Sequence, residues 1–92
     1  MSADTHELIQ QSLQGDQRAF GLIVERYQGA VSAMAYSVTG NLAQSEDLAQ
    51  EAFILACKKL GGLQKHESLA AWLCGIARNL ARDWVRTQAA RP

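Results

Sequence analysis

Four segments of the chain carry apolar residues at steps of three and four, which is the spacing of one face of an α-helix. Each segment begins near a residue type that caps helices, and the first three end near a glycine. Fifteen Ala and eleven Leu stand against eleven Val, Ile and Thr combined, and this balance favours helix over sheet. We therefore predict an all-α fold, a compact bundle of about four helices whose apolar stripes form the core.

The capping residues and glycines also predict where the helices begin and end. Asp4 or Thr5 is expected to cap the first helix and Asp16 the second, with a bend or break of the second near Gly29. Gly40 and Asn41 are predicted to end the second helix and start the third, which runs from about residue 42 to residue 60. Ser68 is predicted to cap the fourth helix. The apolar pattern is lost after residue 86, so the tail is interpreted as the start of a linker.

The length and the cysteines limit what else the chain can be. Its 92 residues are enough for one domain, and no apolar run approaches the roughly 18 residues of a membrane span. The polar N-terminus has no signal-peptide character, so we expect a cytoplasmic protein without membrane contact. Cys57 and Cys74 lack ligand-spaced partners, so we expect neither a disulfide scaffold nor a metal site, and we interpret both as small core residues.

The formal net charge of zero hides an uneven distribution along the chain. Residues 1–57 contain seven acidic and two basic residues, whereas residues 58–92 contain seven basic and two acidic residues. Such a chain can offer an acidic face to one partner and a basic face to another, or its charges can intermingle once it folds.

No pattern in the sequence indicates catalysis. His6 and His66 lie outside any recognisable nucleophile–base context, and the Gly61–Gly62 pair is not followed by the Lys-Ser or Lys-Thr of a phosphate-binding loop. We therefore expect no enzyme activity and no cofactor.

Two polar stripes on predicted outer faces remain to be explained. On the third helix, Asp47, Gln50, Glu51 and Ile54 share one outward face, which is either a well-solvated helix start or a strip that a basic partner helix could cover.

On the fourth helix, Arg78, Arg82 and Arg86 recur every four residues, beside Asn79 and after Trp72. Arginines bind phosphates well, so this row is typical of a nucleic-acid contact, although it could also serve solubility alone. Asn79 could read a base edge, and a displaced base could stack on an aromatic ring such as that of Trp72.

Three stretches in this order resemble region 2 of bacterial RNA polymerase sigma factors, in particular the extracytoplasmic-function (ECF) group. They are GDQRAF (15–20) followed by Tyr27, SEDLAQEAF (45–53) and WLCGIARNLARD (72–83). The resemblance covers about residues 7–87, and three motifs at the family's spacing make it specific.

The resemblance implies a domain that binds core RNA polymerase and the minus-ten promoter element as the duplex opens. It places the clamp helices of the polymerase's largest catalytic subunit against Asp47, Gln50, Glu51 and Ile54. It places the non-template strand, with one extruded base, against the segment before the fourth helix and against that helix. The residues implied in DNA binding are Lys65, His66, Glu67, Ser68, Trp72, Arg78, Asn79, Arg82 and Arg86.

The family's region 4, a helix-turn-helix, has no counterpart in this sequence. We therefore interpret residues 1–87 as the region 2 domain and residues 88–92 as the start of a linker to a C-terminal domain that this sequence lacks.

Two other functions stay open from the sequence. The first is a helical protein-interaction module that binds only an anti-sigma factor or another regulator, without binding DNA. The second is a helical regulator that binds duplex DNA.

Overall fold

The computed structural model describes residues 4–91, which form four α-helices and contain no β-strand. Two short 3-10 turns, Leu60–Gly62 and His66–Ser68, connect the third helix to the fourth. The predicted all-α bundle of about four helices is confirmed. The helices are α1 (Thr5–Leu13), α2 (Gln17–Thr39), α3 (Leu42–Lys59) and α4 (Leu69–Ala90).

Side-chain caps fix three of the four helix starts. Asp4 Oδ1 accepts a hydrogen bond from the Glu7 backbone N–H at 2.8 Å, and Asp16 Oδ1 accepts one from the Arg18 N–H at 3.0 Å. Asn41 Oδ1 accepts one from the Gln44 N–H at 2.9 Å. Each contact satisfies an N–H group that the first turn of a helix leaves without a partner. Of the two residues predicted to cap α1, Asp4 is therefore the one that does so.

Gly40 ends α2 as predicted. Its φ of 64° lies in the left-handed region, which glycine adopts with little strain because it has no Cβ.

Two local predictions were wrong. Helix α2 runs without a break past Gly29, and its residues Ile23, Val31 and Ala35 are buried on both sides of that glycine. Ser68 precedes α4, but its side chain makes no capping hydrogen bond, because the residue belongs to a 3-10 turn that leads directly into the helix. Helix α4 continues through Ala90, so the segment interpreted as the start of a linker is helical up to that residue. The domain boundary at residue 87 stays a prediction.

The main core lies where the first half of α2, the second half of α3 and the first half of α4 meet, with α1 packed against them. Ile23, Phe53 and Leu73 are buried at its centre, and α1 contributes Leu8 and Ile9. Burying these side chains supplies most of the free energy that holds the helices together.

A second, smaller cluster lies towards the other end of the bundle. It joins Ala35 near the end of α2, Leu48 near the start of α3 and Ala81 in the second half of α4, with Trp84 packed against it. From the two clusters together, α3 runs antiparallel to both α2 and α4, while α2 and α4 run in the same direction.

Alanine is the commonest residue in the buried layer. Small side chains at helix contacts let the backbones approach closely, which gives the abundant Ala of the sequence a packing role. The buried alanines are Ala19, Ala35, Ala49, Ala52, Ala56, Ala77 and Ala81.

The cysteines divide between surface and core. Cys74 is half-buried and packs against the main core, but Cys57 is exposed, so its assignment as a core residue was wrong. Residue 57 follows the buried Ala56 by one position, which turns its side chain away from the core. Both cysteines are free thiols.

Within the described part of the chain, no helix combines the length and the apolar character needed to cross a membrane.

Candidate functional site

The outer face of α3 carries an exposed acidic stripe, which we define as Asp47, Gln50, Glu51 and Ile54. All four side chains lie at the surface, on the side of the helix opposite the buried Leu48 and its core neighbours. Ile54 is 57% exposed, so the stripe ends in an apolar side chain. The stripe therefore presents carboxylates without an ion-pair partner among residues 4–91 beside an apolar contact point.

A shallow groove between α2 and α3 borders the acidic stripe. Val24 and Gln28 line it from α2, and Glu46, Phe53 and the apolar end of the stripe line it from α3. Val24 also packs against the main core, and no sequence pattern singles out Gln28. Their four-residue spacing places them on one face of α2, but only the packing of α2 on α3 shows that this face adjoins the stripe.

Helix α4 presents an exposed arginine row, which we define as Arg78, Arg82 and Arg86 with the neighbouring Asn79. Arg86 pairs with Asp83 one turn earlier, and this surface pair leaves both side chains mostly exposed, at 78% and 64%. Arg78 and Arg82 have no hydrogen bond or ion pair within residues 4–91. Two of the three guanidiniums are therefore free to bind an anion.

A second groove runs beside the arginine row. Asn79, Arg82 and Arg86 line it together with Val38 from α2 and Val85 from α4. Polar donors and apolar surface thus lie next to each other along the row. No sequence pattern indicates that Val38 and Val85 border this row, because only the placement of α2 beside α4 brings the two side chains together.

The segment before α4 holds the other predicted DNA-binding residues. Lys65 and Glu67 are exposed, Ser68 is half-buried, and His66 is half-buried against α1. His66 Nδ1 lies 2.7 Å from His6 Nδ1, a hydrogen bond across 60 positions of sequence. No sequence pattern predicts this contact.

Trp72 differs from the rest of the predicted DNA-binding set. Its side chain is half-buried and packs against the main core, so part of the ring is already covered. Only its exposed part is available to a base.

The two charged surfaces do not neutralise each other. Asp47 and Glu51 on α3, like Arg78 and Arg82 on α4, make no ion pair with any described residue. The charges that the sequence separates along the chain thus remain on separate helix faces, and an anionic partner and a basic partner can each find a complementary surface.

Nothing in residues 4–91 resembles a metal centre, since no three His, Cys, Asp or Glu side chains lie close enough together to hold an ion.

Comparison with known proteins places the chain in a family. Residues 23–91 match the family Sigma-70 region 2. A probable RNA polymerase sigma factor, RfaY of Xanthomonas campestris, is 43% identical over 100% of this chain and 24% of its own length. The ECF sigma factor SigW of Bacillus subtilis is 38% identical over 85% of this chain and 42% of its own. The ECF sigma-E factor of Escherichia coli K12 is 36% identical over 92% of this chain and 44% of its own.

A solved structure agrees with these relatives. It is the NMR structure of an engineered region 2 of sigmaE in complex with GTAAAA, which superposes with a TM-score of 0.86 at 32% identity and covers 97% of this chain and 95% of that one. The chain spans less than half the length of the curated relatives it matches. The family match, the relatives and the shared fold together show that the chain belongs to the sigma-70 region 2 family, within the ECF sigma factors.

Proposed function

We propose that the chain binds core RNA polymerase and recognises and melts the minus-ten promoter element, so that transcription starts there. One observation carries the proposal: a region 2 with the same fold over 97% of this chain forms a complex with the oligonucleotide GTAAAA. The exposed arginine row supports it, since two of its guanidiniums have no protein partner within residues 4–91.

The acidic stripe is the proposed polymerase-binding surface. Its carboxylates on Asp47 and Glu51 attract a basic helix, and Ile54 offers an apolar contact that association removes from water. Gln50 lies between them and can hydrogen-bond to polar groups of the partner. We assign the clamp helices of the largest catalytic subunit to this surface.

The arginine row and the segment before α4 form the proposed DNA surface. From Leu69 to Arg86 the backbone of α4 rises about 26 Å, which is enough to follow several nucleotides of a single strand. Arg78 and Arg82 would bind phosphates, and Asn79 in the adjoining groove would contact a base edge. Lys65, His66, Glu67, Ser68 and Trp72 would surround an extruded base.

Melting follows from this binding without any catalytic step. A protein that binds the separated strand more tightly than the duplex shifts the equilibrium towards the open form. Breaking the Arg86–Asp83 pair to release a third guanidinium costs little, because exposed ion pairs contribute about 0–1 kcal/mol. We therefore propose that the chain is not an enzyme, needs no cofactor and acts in the cytoplasm, where the polymerase is.

A second candidate function is a protein-interaction module that binds only an anti-sigma factor or another regulator. The groove between α2 and α3 favours it, since its apolar lining and the exposed Ile54 suit a partner helix. An anti-sigma factor at this groove would also cover the acidic stripe and would compete with polymerase.

Fluorescence anisotropy with labelled GTAAAA separates these functions. We expect the chain to bind the single strand, to bind a base-scrambled strand more weakly, and to bind the same sequence in duplex form more weakly still. Binding to no DNA at any salt concentration would favour the interaction module, and a preference for duplex would favour a duplex-binding regulator. Either result would overturn the proposed function.

A further inference from the structure

A hydrogen bond between two histidines joins α1 to the segment before α4. His6 Nδ1 and His66 Nδ1 lie 2.7 Å apart, and the ring centroids lie 4.7 Å apart with the planes tilted by 41°. We call this contact the histidine latch. Both rings border an open groove whose other lining residues are Asp4, Thr5 and Glu67.

The latch is the one side-chain hydrogen bond that holds residues 63–68 within the described structure. The segment otherwise has a few backbone hydrogen bonds, among them the bond that the Ser68 N–H donates to the Lys65 carbonyl at 2.9 Å. Leu63 packs against the main core at the start of the segment and Leu69 is buried just after its end, but Lys65 and Glu67 between them are exposed. The latch is therefore the side-chain hydrogen bond that can set the position of the middle of this segment.

Helix α1, which carries His6, is held in place by hydrogen bonds and by core packing. Thr5 Oγ1 lies 3.0 Å from the Tyr27 hydroxyl of α2 and accepts a hydrogen bond from Arg26 at 3.3 Å. Leu8 and Ile9 on the same helix are fully buried. His6 is thus fixed by its helix, and within residues 4–91 the side chain of His66 makes no hydrogen bond other than the one to His6.

Two nitrogens that face each other can share a hydrogen bond only while at least one lacks a proton. A pair with no charge or with one charge has one Nδ1–H donor and one Nδ1 acceptor. A doubly protonated pair has two donors and no acceptor, and its two positive charges repel. The latch therefore needs at least one unprotonated ring, and lowering the pH is the experiment that tests this requirement.

Neither neighbouring carboxylate is hydrogen-bonded to the pair. Asp4 Oδ1 accepts the capping hydrogen bond at the start of α1, and the exposed Glu67 side chain makes no hydrogen bond to either ring. The charged side chains on the elements around the pair are Asp4, Glu7, Arg26, Lys65 and Glu67.

We propose that His6 is a positioning residue for DNA binding, which holds the segment 63–68 in its strand-binding position through His66 and releases it when both rings are protonated. The proposal rests on the proposed function, because it assumes that this segment contacts the non-template strand. It assigns to α1, which carries none of the predicted DNA-binding residues, a role in setting the DNA surface.

Two variants separate the latch from its pH dependence. His6→Phe keeps a ring but removes the hydrogen bond at every pH. His6→Asn places an amide oxygen near the former Nδ1, and this oxygen accepts a hydrogen bond from His66 whether or not the His66 ring is charged. His6 is exposed, so we expect both variants to keep the wild-type thermal melt.

The first measurement tests the latch without DNA. NMR backbone order parameters of residues 63–68 are expected to stay near 0.85 in the wild type at pH 7.5 and to fall below about 0.6 at pH 5.5. His6→Phe should be mobile at both pH values and His6→Asn rigid at both. Equal order parameters in the wild type and His6→Phe at pH 7.5 would overturn the latch whatever the chain binds.

The second measurement tests the positioning of DNA, by NMR titration with single-stranded GTAAAA at constant ionic strength. Loss of one net hydrogen bond predicts a Kd that rises about threefold to tenfold in His6→Phe at pH 7.5, and in the wild type on going to pH 5.5. His6→Asn corrects for general effects of pH and should show no such rise. Equal affinities for wild type and His6→Phe would overturn the positioning role alone, whereas a wild type that binds no strand would overturn the proposed function.

Discussion

At the residue scale, the decisive feature is which charged side chains have partners inside the protein. Arg78 and Arg82 have none among the described residues, whereas Arg86 is held by Asp83. Like charges four residues apart repel weakly, by a few tenths of a kcal/mol, so the row is mildly unfavourable until an anion binds. Bound phosphates would reduce this repulsion between the arginines. We therefore assign the row to DNA binding.

Replacing Arg78 and Arg82 with Ala is expected to weaken binding of single-stranded GTAAAA. Each lost phosphate contact should lower the slope of log Kd against log salt by about 0.7, the value for a single strand. Titrations at several salt concentrations measure this. Arg18→Ala, which removes an equally exposed arginine from the start of α2, is the matched control and should leave the slope unchanged. An unaltered slope in the double variant would remove the row from the DNA surface.

Substitution of a buried core residue is expected to lower stability rather than DNA binding. Leu73 is fully buried in the main core, so Leu73→Ala should lower the free energy of unfolding by about 2–5 kcal/mol. Urea denaturation followed by circular dichroism measures this change. Leu42→Ala, at a side chain that is 64% exposed, should stay within about 0.5 kcal/mol of the wild type. Comparable losses in the two variants would contradict the described core.

At the element scale, α3 separates folding from binding on its two faces. Its inner face buries Leu48, Ala52 and Phe53, and its outer face carries the acidic stripe. A change on the outer face can therefore alter partner binding while the core stays intact.

Charge reversal on the outer face of α3 tests this separation. Asp47→Lys with Glu51→Lys is expected to abolish binding to core RNA polymerase, since like charges would then face a basic partner. The helix content should equal that of the wild type. A pull-down with purified core enzyme measures the binding, and a thermal melt followed by circular dichroism measures the fold. Glu25→Lys reverses an exposed charge on α2 and should bind normally. Normal binding by the double variant would exclude the stripe from the polymerase interface.

The elements also show what sequence can and cannot predict. The caps at Asp4, Asp16 and Asn41 were predictable, because each depends on residues within one helical turn. The continuity of α2 through Gly29 was not predictable, because it depends on packing between helices. The exposure of Cys57 was not predictable either, because it depends on the exact rotation of α3. The latch between His6 and His66 joins distant segments, so no local pattern could reveal it.

At the scale of the whole molecule, the bundle keeps two charged surfaces apart on one small core. The acidic stripe lies on α3 and the arginine row on α4, and no ion pair within residues 4–91 joins them. The fold class and the family were predictable from the periodicity and the three motifs. The surfaces were predictable as helix faces, but their bordering grooves required the placement of α2.

The acidic stripe and the arginine row should bind their partners independently, and measuring the affinity of both charge variants for both partners tests this. We expect Asp47→Lys with Glu51→Lys to lose binding to core polymerase but to bind GTAAAA with wild-type affinity. We expect Arg78→Ala with Arg82→Ala to lose binding to GTAAAA but still to bind core polymerase. If either folded variant lost both partners, or neither, the assignment of one partner to each face would be contradicted.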